Sequence, residues 1–352
     1  MTALTAPARR EEEARLRPVP WRRMAWVTWR QHRIALTGAA VFLGGLAVCL
    51  WLVGLQVHHA YAAAATCHPA SSLVCGELAK RFSNTDNFLA NGSVLQAVPA
   101  LIGAFAGAPV LARELETGTF RYAWTQGFSR WRWTLAKLVM IAVVLAAAAG
   151  ALSVLLAWYY QPYFATRNQA RFLTEASPLA ATLFDLRGIA FAAWTLAAFA
   201  IGALAGMLIR RVVAAIIATL AAYSGLALAA GLYLRGHYLT ALITGTQGVP
   251  GSAEITSQWG TRGGTFVFAG QPPLSLLQRV CPGPPSGTRG PANPDKLVTI
   301  AQCLSQHGYT WWASYQPASR FWPFQWIEAG WLLALSALLI SATVGLVRRR
   351  AA

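Results

Sequence analysis

Six stretches of this chain contain no charged residue, at about 34–55, 88–112, 138–160, 188–209, 212–234 and 329–347. Each meets or passes the roughly 18–20 residues a helix needs to cross a ~30 Å hydrocarbon core. Buried helices of a soluble protein are the alternative, but only 12% of the residues are charged and 56% are hydrophobic. A soluble domain carries about a quarter charged residues, so six such blocks would leave too little polar surface. The expected fold class is an all-α membrane protein with six transmembrane helices.

Basic residues orient the chain. With both termini in the cytoplasm, that side holds eight Lys and Arg before the first block, five in 113–137, Arg210, Arg211 and Arg348–Arg350. This makes 18 of the 29, in short segments beside the spans, as the positive-inside rule requires. The net charge of +17 is therefore a topology signal. No basic stripe lies on a soluble domain, so nucleic acid is not an expected partner. The first block is too long for a cleaved leader's apolar region, and some 33 residues precede it, so it reads as a retained span. The cysteines agree with this orientation: Cys67 and Cys75 share the first outer segment, and Cys281 and Cys303 share the third. Two within-loop disulfides, Cys67–Cys75 and Cys281–Cys303, are the simplest of the three pairings. Cys49 falls in mid-span. His58, His59 and His68 cluster in a loop, but no zinc-ligand spacing occurs and no metal is expected.

Residues 1–17 have no apolar periodicity and read as a disordered cytoplasmic tail, ahead of one six-helix transmembrane domain over 18–352. In "PWRRMAWVTWRQHR", 20–33, Arg22, Arg23, Arg30 and Arg33 fall in one sector at helical spacing, with Trp21, Met24 and Trp29 facing away. This predicts an amphipathic helix in the headgroup plane that runs into the first span, with lipid as its partner. The largest outer segment, 235–328, holds a Pro- and Gly-rich stretch and then "DKLVTIAQCLSQHG", read as a short helix from Asp295 to Gly308. The GxxxG pairs Gly103/Gly107 and Gly202/Gly206 permit close helix approach, either within the chain or at a dimer face.

Chemistry is sparse. Asp185 and Glu328 are acids near the outer ends of spans. Glu328 is a candidate for the translocation path because an ionisable group in a membrane is a functional candidate by default. Asp185, beside Arg187, reads as an interfacial flank. Phe105, Trp158, Trp194 and Tyr223 are candidate lining residues. Lys80, Lys137 and Lys296 are followed by Arg, Leu and Leu, so none completes a Walker A motif. The chain is not expected to be an enzyme by itself, and no catalytic residue is assigned.

One cytoplasmic segment stands out. In "RELETGTFRYAWTQGFSRWRWTLAK", 113–137, the second span continues as "RELE", Gly118 offers a stop, and Thr119 caps a two-turn "FRYAWTQ". It reads as a short transverse helix between glycine hinges, or as a loop anchored in the headgroups by Trp124, Trp131 and Trp133. The stretch resembles the cytoplasmic loop of ABC transporter permeases of the type-2 exporter membrane family, and "YQPASRFWPFQWIEAGWLLALSALLISATVGLVRRR" resembles the last segment of actinobacterial members. The resemblance implies that Glu116, Gly118 and Thr119 occupy a Glu-x-Gly-Thr-like motif, with Glu114 one turn earlier, and that a coupling helix meets a nucleotide-binding subunit. Glu114 and Glu116 would pair with basic groups on that subunit, while Phe120, Tyr122 and Trp124 would fill a groove there. It further implies an ATP-driven exporter of an amphipathic, lipid-like or drug-like compound, as in multidrug resistance. The chain would sit in a bacterial cell membrane, paired with a separate ATPase that holds ATP and Mg, and with a second copy or a homologue. A non-transporting sensor that relays ATPase motion to an outer partner is the second expectation.

Overall fold

A computed structural model describes residues 21–68, 73–84, 92, 94–117, 130–165, 177–250, 252–281, 300 and 302–350. The tail 1–17, residues 118–129, and residues 282–299 with Asp295 lie outside them.

The described residues are mostly helical, and six helices are long and apolar enough to span a membrane. Span 1 belongs to α1 (Trp21–Ala65), and α2 (Leu73–Asn84) follows it. Span 2 comprises α3 (Ala97–Ile102), a π-helical turn (Gly103–Gly107) and α4 (Ala108–Thr117). Span 3 is α5 (Arg130–Ala165), and α6 (Ala181–Phe184) is a short outer turn. Spans 4, 5 and 6 are α7 (Ala190–Ile209), α8 (Val212–Ala229) with a π turn (Ala230–Leu234), and α10 (Phe321–Arg350). Between the last two comes α9 (Leu274–Val280) with strands β1 (Leu242–Gly245), β2 (Glu254–Arg262), β3 (Thr265–Ala269) and β4 (Tyr309–Gln316).

Residues 21–33 are helical, as expected, but they join span 1 without a break: α1 is one element of 45 residues. At 1.5 Å per residue it is about 67 Å long, well beyond a hydrocarbon core.

The bundle is built around α7, which packs against both halves of span 2, α5, α8 and α10. Small residues make this approach possible. A Cβ on Gly103 would lie 2.6 Å from the Ala198 carbonyl oxygen, and one on Gly107 would lie 2.7 Å from that of Phe199. Gly202 and Gly206 meet the Gly103 and Ala108 carbonyls in return. The two GxxxG pairs therefore pack on each other within the chain. Hydroxyls inside the spans bond the carbonyl one turn back: Thr195 to Phe191, Thr219 to Ala215, Ser336 to Leu332 and Thr343 to Leu339. That bonding satisfies them without water. By contrast, spans 1 and 5 turn large apolar side chains outward, including Phe42, Trp51, Val213, Ile217 and Leu232.

The outer segment between spans 5 and 6 is more than irregular chain. Its strands form an antiparallel sheet in the order β1-β4-β2-β3. The β2–β3 hairpin turns at Gly263 and Gly264, with φ of 55° and 83°, which suits a two-residue turn needing two left-handed residues. Phe268, Leu276, Leu304, Tyr309 and Trp311 make its own small core. Within "DKLVTIAQCLSQHG", residues 302–306 are helical and Gly308 ends them at φ 75°.

Both expected disulfides are present. Cys67–Cys75 ties the end of α1 to α2, and Cys281–Cys303 ties α9 to the 302–306 helix. Cys49 is free and exposed on the surface of span 1.

Candidate functional site

At the end of the bundle where span 5 leads into the sheet segment, three elements converge on one cation. Arg235 directly follows the π turn that ends span 5, Asp185 follows α6, and Glu328 lies in α10. The wider turn of a π segment changes which side of the helix the next residues occupy, and such segments recur at functional sites. Here it is followed by a guanidinium only 8% exposed.

The Arg235 Nε donates to Glu328 Oε2 at 3.1 Å, and Nη2 donates to Glu328 Oε1 at 2.7 Å and to Asp185 Oδ1 at 2.5 Å. The guanidinium also sits 4.5 Å over the Phe184 ring. Glu328 is fully buried and accepts two more bonds, from Trp194 Nε1 at 2.8 Å and the Tyr238 hydroxyl at 3.2 Å. Trp331 in turn donates to the Tyr238 oxygen at 2.8 Å. The loop is held in place by Gln325, whose Oε1 accepts from the Ala190 N–H at 2.8 Å and whose Nε2 donates to the Phe184 carbonyl at 3.0 Å.

Two carboxylates share one cation. Glu328 has four donors, whereas Asp185 has Arg235 as its one hydrogen-bond donor among the described residues. Burial, reinforced by the charge of Glu328, pushes the Asp185 carboxyl up to about 7 against the pull of Arg235. Asp185 and Arg235 also line a cavity of about 240 Å³ whose walls include Phe191, Trp194, Tyr223 and Leu228. The Arg235 Nη1 is buried and has no hydrogen-bond partner among the described residues.

Several expected residues meet here and others do not. Trp194 and Tyr223 line the cavity, their rings 5.5 Å apart and edge-on, and Glu328 adjoins it through Trp194 and Arg235. Phe105 is 59% exposed on the outside of span 2. Trp158 stacks on Trp51 and His58 between spans 1 and 3. Asp185 is not an interfacial flank beside Arg187: it joins the buried cluster, while Arg187 stacks on Phe164 and Phe321. Arg235, expected at the start of a loop, is the cluster's centre. The one sequence sign of this was its position directly after an uncharged span, within a turn of it.

At the opposite end of the bundle, span 2 is fastened on two sides. The fully buried Lys137 of span 3 donates to Glu114 Oε1 at 2.5 Å and to the Val110 carbonyl at 3.2 Å, and lies 5.2 Å from the Trp133 ring centre. Glu116 Oε2 accepts from the Val212 N–H at 3.1 Å, at the start of α8. An acid at a helix N-terminus satisfies an orphan donor and complements the dipole. The turn between spans 4 and 5 is closed by Arg210, the one described non-glycine residue with positive φ, at 60°. Gly118, Thr119, Phe120, Tyr122 and Trp124 lie outside the described residues. Among described residues, Cys281, Cys303 and His307 come close enough to suggest a metal site. Both sulfurs are spent in the disulfide, however, which leaves one ligand.

A six-span bundle with long apolar helices and an ion cluster sealed between them defines a multi-pass membrane protein. The chain belongs to the ABC-2 membrane transporter related family, whose model matches residues 39–235, more than half its length. Membership implies a transmembrane subunit of an ABC transporter, not itself the catalytic part, with an ABC ATPase subunit as partner. No curated protein and no solved structure matches the chain.

Proposed function

We propose that this chain is the permease of an ATP-driven exporter that moves an amphipathic, lipid-like or drug-like compound out across a bacterial cell membrane. Both termini lie in the cytoplasm, and the chain works with a second copy or a homologue. ATP and Mg are held by the ATPase subunit. The reading is carried by the anchoring of the end of span 2, from which segment 118–129 continues in sequence. There Glu114 is tied to span 3 through Lys137, and Glu116 to the head of span 5. A push on it would therefore reach three spans at once. Glu114 and Glu116 act as its internal struts, and contact with the ATPase falls to Gly118, Thr119, Phe120, Tyr122 and Trp124. Aromatic residues seated in a partner's cleft carry a disproportionate share of interface energy, commonly ~2 kcal/mol or more each.

The test is copurification of the ATPase and turnover of ATP stimulated by a transported compound. A Gly118→Val variant should insert normally and lose both. If it keeps the partner and full transport, the segment is only a membrane anchor.

A second reading, a sensor that relays ATPase motion without transport, is favoured by the disulfide-tied sheet domain between spans 5 and 6. ATP turnover that responds to an outer ligand with no flux of any compound would support it.

A further inference from the structure

The outer cavity differs from an apolar gap between helices. It holds a carboxylate, Asp185, whose charge the neighbouring cation does not fully offset, because Arg235 also serves Glu328. It holds a guanidinium more than nine-tenths buried, with Nη1 left unpaired. Its walls are the rings of Phe191, Trp194 and Tyr223. Aromatic faces and a carboxylate beside a shared cation both favour a positive guest. At about 240 Å³ the cavity is smaller than the ~300–1,000 Å³ typical of sites for whole drug-sized ligands. Its rim includes Leu228 and Leu232, which are 61% and 84% exposed on the outer face of span 5. A compact head can enter while an apolar tail lies along that ridge.

We propose that this cavity binds the head of a monocationic amphiphile, with its ammonium at Asp185 and its tail on Leu228 and Leu232. Glu328 does not contact the guest. It holds Arg235 in place, so that Asp185, once ionised, leaves the cluster one negative charge for the ligand to neutralise. The proposal rests on the exporter reading only for calling this ligand a cargo, since the binding itself needs neither an ATPase nor a second subunit.

The experiment uses the full chain, without ATPase, in vesicles of phosphatidylglycerol. Binding of benzyltrimethylammonium is compared with that of neopentylbenzene, its uncharged counterpart of the same shape, by quenching of tryptophan fluorescence. The expected result is saturable binding of the cation, tighter than the neutral compound by about tenfold, the equivalent of 1.4 kcal/mol. Asp185→Asn should erase the difference. Equal binding of the two compounds, no saturation, or an unchanged preference in Asp185→Asn would overturn the proposal.

Should Asp185→Asn fail to fold, Gly231→Leu decides. A Cβ on this cavity-lining glycine meets nothing within 4 Å, so the larger side chain has room to fill the cavity and should abolish cation binding. Retained binding overturns the proposal. Adding phosphatidylcholine to the vesicles separates two sources of the ammonium group. Displacement of the probe assigns the site to a bilayer lipid, and undiminished binding assigns it to a free amphiphile. A failed ATPase copurification with intact cation binding would sink the exporter reading and leave this one standing.

Discussion

Arg235 and Glu328 are 93 residues apart in sequence, yet the guanidinium grips both carboxylate oxygens, at 3.1 and 2.7 Å, in a site where Glu328 is wholly buried. The pair joins the end of span 5 to span 6 across the whole outer sheet domain. Removing one partner of a buried pair strands the other charge, which costs about 3–5 kcal/mol, whereas replacing both by apolar groups is far milder. Arg235→Met should therefore lower thermal stability in detergent steeply, and the Arg235→Met/Glu328→Met double variant should recover much of the loss. A double variant as unstable as the sum of the singles would show that the pair is not coupled.

Asp185 gives the outer cluster a pH signature. Its carboxyl is pushed up to about 7 by burial, above the ~3.9 of a free Asp. A raised carboxyl favours the folded state while protonated, so its contribution is fully present below about pH 4 and lost as pH rises towards 7. Melting temperatures between pH 4 and 7 should fall more in the parent than in Asp185→Asn. Parallel curves would contradict the shift.

The Lys137–Glu114 strut makes a similar prediction at the other end of the bundle. Lys137→Met alone leaves Glu114 without its cation in a half-buried site. Adding Glu114→Gln should relieve part of the damage, with a coupling of about 0.5–3 kcal/mol in a double-mutant cycle. Thermal unfolding of the four proteins measures it, and additive losses would refute the strut.

Glycine packing separates two otherwise similar positions. Gly202 faces the backbone of span 2 at contact distance, whereas Gly225 faces open space. Gly202→Ala should cost about 1–3 kcal/mol by forcing α7 from span 2, and Gly225→Ala should be neutral or mildly stabilising. Equal effects in unfolding assays would mean that the close approach does not matter.

Orientation is tested by labelling single cysteines placed at 290 and 125 in intact cells. A membrane-impermeant reagent should reach position 290 and miss position 125. The reverse pattern would invert the topology.

Much of this architecture was legible in the chain itself. Hydropathy is a property of single residues summed over a local window, and the bilayer sets the length of that window, so six spans could be read from uncharged blocks. Cysteine pairing was equally local, because each pair shares one outer segment. The sheet was missed although "EITSQWGTRGGTFVFA" carries a Gly-Gly turn between extended runs. Two of its strands lie more than forty residues from the β4 strand that joins them. Only the folded bundle decided that Gly103 and Gly107 meet span 4 rather than another subunit. Only the bundle gathered Asp185, Arg235 and Glu328 into one site. Each of these outcomes depends on how a helix is rotated about its axis, which a π turn or a neighbouring glycine can change without altering its hydropathy.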